Sequence, residues 1–213
     1  MSKKLEAQYI PAAFKKEGLS ELSSALDLQP NHKLDNLLWS SNGYFPEADF
    51  SIAYTDESIL LKYFVKEKHI RAVYTQVNDL VYQDSCVELF ITFNNIGYYN
   101  IEFNCAGTPY AAYGPDKQNR VLLPVNVVQE IGILSAIQQP NNDGLIAWEL
   151  TLQIPLSVFI HDDITRLKGT ECRANFYKCG DELPQPHYLS WNNILSNQPN
   201  FHVPEFFGSL AFN

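Results

Sequence analysis

The chain has 213 residues, with 24 acidic and 15 basic side chains and a formal net charge of −9. Nucleic acids and anionic membranes are bound through clustered Lys and Arg, so this balance predicts neither a nucleic-acid partner nor a membrane partner. Aromatic residues make up 13% of the chain, which favours strands over helices. We interpret residues 1–213 as a single domain with an N-terminal extension at residues 1–25.

The first residues carry two lysines but no apolar segment, so they do not resemble a signal peptide. No apolar run reaches the roughly 18 residues that a membrane-spanning helix needs. We expect a cytoplasmic protein, or a secreted or periplasmic one if a leader has been removed. Nothing in the pattern indicates an oligomeric state. The cysteines lack paired spacing and are expected to be free, buried thiols: Cys86, Cys105, Cys172 and Cys179.

The predicted elements are mostly short strands. Leucines at helical spacing predict one short helix within residues 12–27, and one helical turn is predicted at 155–160. In chain order, strands are predicted at 50–54, 58–65 and 69–77, twice within 82–104, once or twice within 120–138, and at 146–154, 171–178 and 206–212. Turn residues at 55–57 and 141–144 separate neighbouring strands as hairpins.

This pattern indicates an all-β fold: an antiparallel β-sandwich, of jelly-roll or immunoglobulin-like type, with at most one or two short helices. Residues 180–205 are rich in Pro, Asn and Asp and are predicted to form one long loop. Disordered segments have few aromatic residues, whereas this loop and its flanks have several. Long irregular segments in compact domains commonly carry function, so we expect a functional loop.

Two of the predicted strands separate their side chains onto an apolar and a polar face, because successive strand residues point to opposite sides. The polar face holds Glu88 on the first strand, and Glu102 and Asn104 on the second. The apolar face holds Val87, Leu89, Ile91, Tyr99, Ile101 and Phe103. We expect the polar set to open to one cleft, with Tyr82 at its edge. Such a cleft suits a ligand covered in hydroxyl groups.

Several segments carry recognisable motifs. They are Trp39, Val81-Tyr-Gln-Asp-Ser-Cys-Val-Glu-Leu-Phe, Tyr99-Asn-Ile-Glu-Phe-Asn, Asn175-Phe-Tyr-Lys-Cys-Gly-Asp, Pro186-His-Tyr-Leu-Ser-Trp and Pro204-Glu-Phe-Phe-Gly-Ser-Leu-Ala-Phe. Together they resemble the carbohydrate-binding module family 9-like proteins, which are DOMON-like β-sandwiches, in their stand-alone bacterial form. The resemblance extends from about residue 26 to the C terminus.

The resemblance implies a bacterial protein, associated with polysaccharide catabolism, that binds a mono- or oligosaccharide without cleaving it. The family holds a sugar between two aromatic rings while polar side chains contact its hydroxyls. Tyr82 matches the first ring, which is usually Trp, and Trp191 is the candidate for the second. Glu88 matches a family carboxylate, and Glu102 and Asn104 lie in the strand that supplies further polar contacts.

Asp84 and His187 complete the candidate ligand-binding set. Asp84 follows Tyr82 closely, where it either caps a turn or contacts the ligand. His187 lies in the long loop, and it has no third partner at zinc-ligand spacing when paired with His202. No catalytic residue, metal ligand or cofactor is assigned. Characterised family members carry structural calcium, but the chain has no Asp-x-Asp-x-Asp loop to hold it.

Two other functions fit the same residues. Glu88 and Glu102 on neighbouring strands are compatible with the carboxylate pair of a glycoside hydrolase. A solvated strand face on an interaction module without a sugar ligand is the other alternative. Trp191 is also compatible with a buried loop anchor, whereas Trp39 and Trp148 lie in hydrophobic patterns and are predicted in the core.

Overall fold

The computed structural model describes residues 2–11 and 18–213 of the chain. Its strands are β1 (Lys4–Tyr9), β2 (Asn31–Lys33), β3 (Asn36–Leu38), β4 (Glu47–Tyr54), β5 (Ser58–Glu67), β6 (Cys86–Thr92), β7 (Tyr98–Asn104), β8 (Pro109–Gly114), β9 (Val121–Leu122), β10 (Gly132–Ile137), β11 (Ile146–Pro155), β12 (Thr170–Cys179), β13 (Tyr188–Ser190) and β14 (Gly208–Phe212). The helices are α1 (Leu19–Leu26) and α2 (Val125–Val128). Neither helix in the described ranges is long and apolar enough to cross a membrane.

The strands form two packed layers that share one continuous curled sheet. The first layer has the order β14-β12-β6-β7-β8-β9, with β13 beside β12 and β3 beside β13. The second has the order β10-β11-β5-β4, with β2 beside β4. Strand β1 joins the layers, because its first half pairs in parallel with β14 and its end pairs in parallel with β4. The predicted β-sandwich with at most two short helices is confirmed, and β1 supplies the parallel pairings in a sheet that is otherwise antiparallel.

The hydrophobic core fills the space between the layers. Phe50 of β4 stacks on Phe176 of β12 with ring centroids 3.9 Å apart. Trp148 of β11 is fully buried, as its alternating strand predicts. The apolar face predicted for β6 and β7 also points into this core. Burial of each large side chain contributes about 1.5–3 kcal/mol, so this layer interface supplies most of the stabilisation of the fold.

The predicted helix within 12–27 corresponds to α1, and residues 12–17 lie outside the described residues. Leucines 19, 22 and 26 are buried, as their helical spacing requires, and they cover Ala53 and Leu60 on the second layer. Part of the expected N-terminal extension forms β1. The extension is therefore integral to the sheet that joins the layers.

Two sequence assignments need correction, at residues 69–77 and 180–205. Residues 69–77 form no strand, because the backbone N–H groups of Val73 and Tyr74 donate to the carboxylate of Asp84 instead of to a neighbouring strand. The one or two strands predicted within 120–138 are confirmed as β9 and β10, and the short helix α2 lies between them. The predicted loop at 180–205 includes β13, which pairs with β12 and β3.

Candidate functional site

A cavity of about 280 Å³ lies on the outer face of the first layer. Its aromatic walls are Trp39, Tyr82, Tyr110, Tyr188, Phe201 and His202. Its ionisable side chains are Glu88, Glu102, Asp181, Lys117 and Arg120. Rings and hydrogen-bonding groups therefore converge on one concave surface, which is the usual composition of a ligand site.

The floor of the cavity is built from side chains that lie opposite each other on neighbouring strands. Glu88 of β6 is paired in register with Glu102 of β7, which is paired with Tyr110 of β8. In the next outward-facing row, Cys86 of β6 is paired with Cys179 of β12. Directly opposed residues in an antiparallel pair hold their Cβ atoms about 4.5–5.5 Å apart. The sheet register therefore places the two carboxyl groups side by side.

One oxygen atom of Glu102, a residue that lines the cavity, has no hydrogen-bond partner among the described residues. Its Oε1 accepts a hydrogen bond of 2.5 Å from Asn100 Nδ2, and Asn100 Oδ1 accepts one of 2.5 Å from Arg120 Nη1. Glu102 Oε2 is buried and has no hydrogen-bond partner in the described part of the chain. A buried oxygen that lacks a partner costs about 1–3 kcal/mol, so a ligand that donates to it would be bound favourably.

The carboxyl groups of the cavity hold their protons unusually tightly. Burial raises the pKa of Glu102 to about 7. Burial, and then repulsion from Glu102, raises the pKa of Glu88 well above its usual range. Burial also raises the pKa of Asp181 to about 6. At neutral pH the cavity therefore offers both carboxyl donors and carboxylate acceptors.

Trp39 is held in a strained conformation at the cavity wall. Its φ of 47° lies in the left-handed region, which bulky residues rarely occupy. Its indole Nε1 donates a hydrogen bond of 2.7 Å to Ser196 O. Its ring packs against Tyr188 and Phe201 at centroid distances of 5.9 and 5.7 Å. Strained residues of this kind cluster at functional sites, because the surrounding contacts fix a geometry that the ligand uses.

Three of the predicted ligand-binding residues, Tyr82, Glu88 and Glu102, line the cavity together. Asn104 and Asp84 do not line it. Asn104 Nδ2 donates to Asp84 Oδ2 at 2.9 Å, and Asp84 forms an ion pair of 2.5 Å with Arg71. Both residues are completely buried, and they hold the irregular 71–74 segment in place. The prediction that Asn104 opens to the cleft is therefore wrong, because its side chain is buried beneath the cavity.

Trp191 and His187 also lie away from the cavity. Trp191 is 3% exposed and packs against Phe176 in the core at a centroid distance of 5.7 Å, so it does not face Tyr82. His187 Nε2 lies 2.8 Å from Lys178 Nζ, and Nδ1 lies 2.9 Å from Gln185 O. Burial, and then the charge of Lys178, lowers the pKa of His187 to about 3, so the neutral ring accepts from the lysine.

Lys178 is the centre of a polar cluster inside the sandwich. Its Nζ lies 3.0 Å from Glu67 Oε2, an ion pair without hydrogen-bond alignment, and donates to Cys179 O at 2.8 Å. The other oxygen of Glu67 accepts a hydrogen bond of 2.7 Å from Trp148 Nε1. Lys178 is fully buried and Glu67 is 1% exposed, so each charge depends on the other for compensation.

The tryptophan that lines the cavity is Trp39, whereas the sequence suggested Trp191 for this position. Trp39 was expected in the core, but it is only partly buried and lines the cavity. Tyr110, Tyr188, Asp181 and Arg120 were not predicted at all. Tyr110 of β8 lies directly opposite Glu102 of β7. Knowledge of the register between these two strands would therefore have placed Tyr110 in the cavity.

The protonation of Glu102 predicts a pH-dependent stability. Because its pKa in the folded protein is raised above the value of about 4.3 in unfolded chains, its contribution is fully present at low pH and is lost as pH rises through about 7. We expect Glu102→Gln to reduce this decline by about 2–3 kcal/mol between pH 5 and pH 8. Urea unfolding of both proteins at the two pH values measures the difference. An identical decline in the variant would show that Glu102 is ionised in the folded state at both values.

Within the described residues, no group of three or more Asp and Glu side chains converges where the calcium ion that the resemblance implies could bind. Calcium takes six to eight oxygen ligands. Within residues 2–11 and 18–213, the one group of three or more converging Cys, His, Asp or Glu ligands is Cys86, Glu88 and Cys179, which offers two sulfur atoms. That chemistry suits a softer metal than calcium.

A β-sandwich with aromatic rings and buried carboxyl groups around a cavity on one outer sheet face has the form of a carbohydrate-binding module. Comparison with protein families agrees with this class: the model of carbohydrate-binding family 9 matches residues 21–212. The chain belongs to carbohydrate-binding family 9.

Solved structures share the fold of this chain. A candidate carbohydrate-binding protein from Bacteroides uniformis ATCC 8492 is 34% identical, with full coverage of both chains and a TM-score of 0.91. A family 9 module from Caldicellulosiruptor kristjanssonii in complex with glucose has a TM-score of 0.63 at 12% identity, covering 99% of this chain and 96% of that one. Its complex with cellotriose gives 0.64 at 11% identity, with coverage of 99% and 93%. No curated protein matches the chain.

Proposed function

We propose that the cavity binds a mono- or oligosaccharide and does not cleave it. The observation that carries this proposal is Glu102 Oε2, a buried acceptor without a partner in a cavity walled by aromatic rings. A pyranose has apolar C–H faces and a rim of hydroxyl groups. Its faces would pack on Trp39 and Tyr82, and a hydroxyl would donate to the ionised form of Glu102 or accept from its protonated form.

The charges and size of the cavity support a polar, uncharged ligand. Asp181 supplies a further carboxyl group, and Arg120 and Lys117 supply hydrogen-bond donors. A hydroxyl group, which both donates and accepts hydrogen bonds, therefore has partners for each. The volume of about 280 Å³ lies just below the range of about 300–1,000 Å³ for small-molecule sites, so the cavity suits a small ligand or one end of a longer one. Two solved structures that share this fold are complexes with glucose and with cellotriose, and these sugars are the first ligands to test.

The environment of the two glutamates favours binding over hydrolysis. A glycoside hydrolase needs one protonated carboxyl and one ionised carboxylate, so the surroundings must separate the two pKa values. Here the pKa of Glu88 and that of Glu102 are both raised, chiefly by burial. At both groups burial outweighs the hydrogen bond and the Arg120 charge that favour the anion, so the surroundings do not hold one of them firmly ionised. Release of reducing sugar that Glu88→Gln abolishes would instead establish a hydrolase.

The expected affinity is moderate. A disaccharide has about 23 non-hydrogen atoms, and ligands of this size gain about 0.3 kcal/mol per atom. The binding free energy would then be about 7 kcal/mol, which corresponds to a Kd on the order of 10 μM. A glycan array identifies the sugar, and isothermal titration calorimetry gives its affinity.

Trp39→Ala is the direct test of the site. Loss of one stacking ring should cost about 1–3 kcal/mol and weaken sugar binding roughly 5- to 150-fold. Phe45→Ala is the matched control, because Phe45 is an exposed aromatic residue that does not line the cavity. The control should bind as the wild type does. A folded protein that binds no sugar on the array, or a sugar bound equally by both variants, would contradict the proposed site.

A further inference from the structure

Two thiols and a carboxyl group meet directly beneath the sugar cavity. Cys86 and Cys179 lie opposite each other on β6 and β12, and Glu88 is two residues from Cys86 on the same face of β6. Cys179 Sγ lies 3.0 Å from Glu88 Oε1. One candidate ligand atom from each of the three residues lies within 4.8 Å of the others. Glu88 and Cys179 also line the cavity, so the cluster is reached from there.

We propose that Cys86 Sγ, Cys179 Sγ and a carboxylate oxygen of Glu88 bind one divalent cation of the zinc class, with the fourth ligand position open to the cavity. Zinc takes thiolate and carboxylate ligands in a tetrahedral arrangement, at about 2.3 Å for sulfur and about 2.0–2.2 Å for oxygen. Ligand atoms around such an ion lie roughly 3–4 Å from each other. The observed spacing therefore reaches this geometry through small side-chain rotations, without a change in sheet register.

A divalent cation would balance the charge that the cluster acquires when its three groups ionise. All three side chains are at most 3% exposed, so three unpaired negative charges could not be held there. Without metal the groups keep their protons: burial raises the pKa of Cys86 to about 12 and that of Cys179 and Glu88 well above their usual ranges. Binding of one divalent cation displaces the protons of two thiols and one carboxyl group. The resulting single negative charge lies near Arg120 and Lys178, whose charges favour the ionised forms of Glu88 and Cys86.

The other two cysteines provide the contrast. Cys105 and Cys172 are also buried, but neither belongs to a group of converging ligands in the described part of the chain. Cys105 Sγ lies 3.6 Å from the carbonyl oxygen of Arg71, and Cys86 and Cys179 have similar carbonyl contacts. The contact of Cys179 with Glu88 is what distinguishes the pair. Buried thiols alone therefore do not account for the arrangement at Cys86 and Cys179, where a carboxyl group completes a ligand set.

Metal titration of the whole chain tests the proposal. Protein treated with a chelator and kept reduced with a phosphine should bind one equivalent of Zn²⁺ by calorimetry and release about three protons per ion near neutral pH. Co²⁺ should give the near-ultraviolet absorption of thiolate-to-metal charge transfer. Cys86→Ser and Cys179→Ser should each weaken Zn²⁺ binding by about 100-fold or more, whereas Cys105→Ser should bind as the wild type does.

Several outcomes would overturn the proposal. The first is a reduced wild-type protein, folded by circular dichroism, that binds no Zn²⁺ and gives no cobalt–thiolate absorption. The second is Zn²⁺ binding that survives in both Cys86→Ser and Cys179→Ser. The third is protein in which Cys86 and Cys179 form a disulfide and, after reduction, still bind no metal. The cobalt measurement uses the wild-type chain, so it decides the question even if the serine variants do not fold.

Discussion

Trp191→Ala is expected to lower the free energy of unfolding by about 3–5 kcal/mol, as truncation of a buried tryptophan does. The ring lies in the core, with edge contacts to Phe50 and Phe176. It is closely enclosed on another side, because a Cβ atom added to Gly208 would lie 2.3 Å from it. For a chain of this size the melting temperature should fall by about 6–20 °C. Urea unfolding and thermal melting measure the two quantities.

Comparison of Trp191→Ala with Trp39→Ala shows which tryptophan stabilises the core and which one binds the ligand. Below its melting temperature, Trp191→Ala should retain the cavity and its sugar affinity, because Trp191 does not line the cavity. Trp39→Ala should show the reverse, with affinity lost and most stability kept. Loss of sugar binding by folded Trp191→Ala, with little change in melting temperature, would assign the second stacking ring to Trp191 and contradict the observed placement.

Lys178→Met is expected to cost about 3–5 kcal/mol of folding stability, because removal of one partner leaves a buried charge without compensation. The side chain of Glu67 is 1% exposed and would lose its cation. It would then retain the hydrogen bond from Trp148 Nε1 and the neighbouring His187 Nε2, which lies 3.6 Å from Glu67 Oε2. Measurement of the free energy of unfolding in urea, at neutral pH, gives the effect.

A second substitution provides the control for Lys178. The double variant Lys178→Met, Glu67→Gln removes both charges, and the side-chain amide of the new glutamine can still accept from Trp148. We expect it to recover part of the lost stability, since a buried pair replaced as a whole costs far less than a broken one. A double variant less stable than Lys178→Met would show that Glu67 is not the charge that Lys178 compensates.

Alternation along β6 and β7 was sufficient to predict the two faces of the site. Glu88 and Glu102 line the cavity, and Leu89 and Ile101 lie in the core, as the period of two requires. The prediction for Asn104 failed because its side chain is drawn into hydrogen bonds with Tyr74 O and Asp84. Strand parity fixes the face on which a side chain lies, but it does not reveal a loop that covers the end of that face.

The aromatic half of the site could not be predicted from the sequence. Trp39 follows hydrophobic residues, which suggested burial, and Trp191 lies in a polar segment, which suggested exposure. The positions of both residues depend on β13. Trp191 directly follows β13, and its backbone N–H donates to Phe176 O, which places the ring in the core. Trp39 directly follows β3, which pairs with β13. The positive φ that turns Trp39 towards the cavity has no signature in residue type. Both features arise from pairings between distant segments.

The position of β1 bears on how the domain can be isolated for experiments. The family match starts at residue 21, so a fragment cut to those limits would lack β1. It would leave unpaired backbone along β14 and along the end of β4, which are now covered by residues 4–9. Open strand edges recruit other chains and promote aggregation. Recombinant versions should therefore retain the segment before residue 21, and affinity tags are better placed at the other terminus.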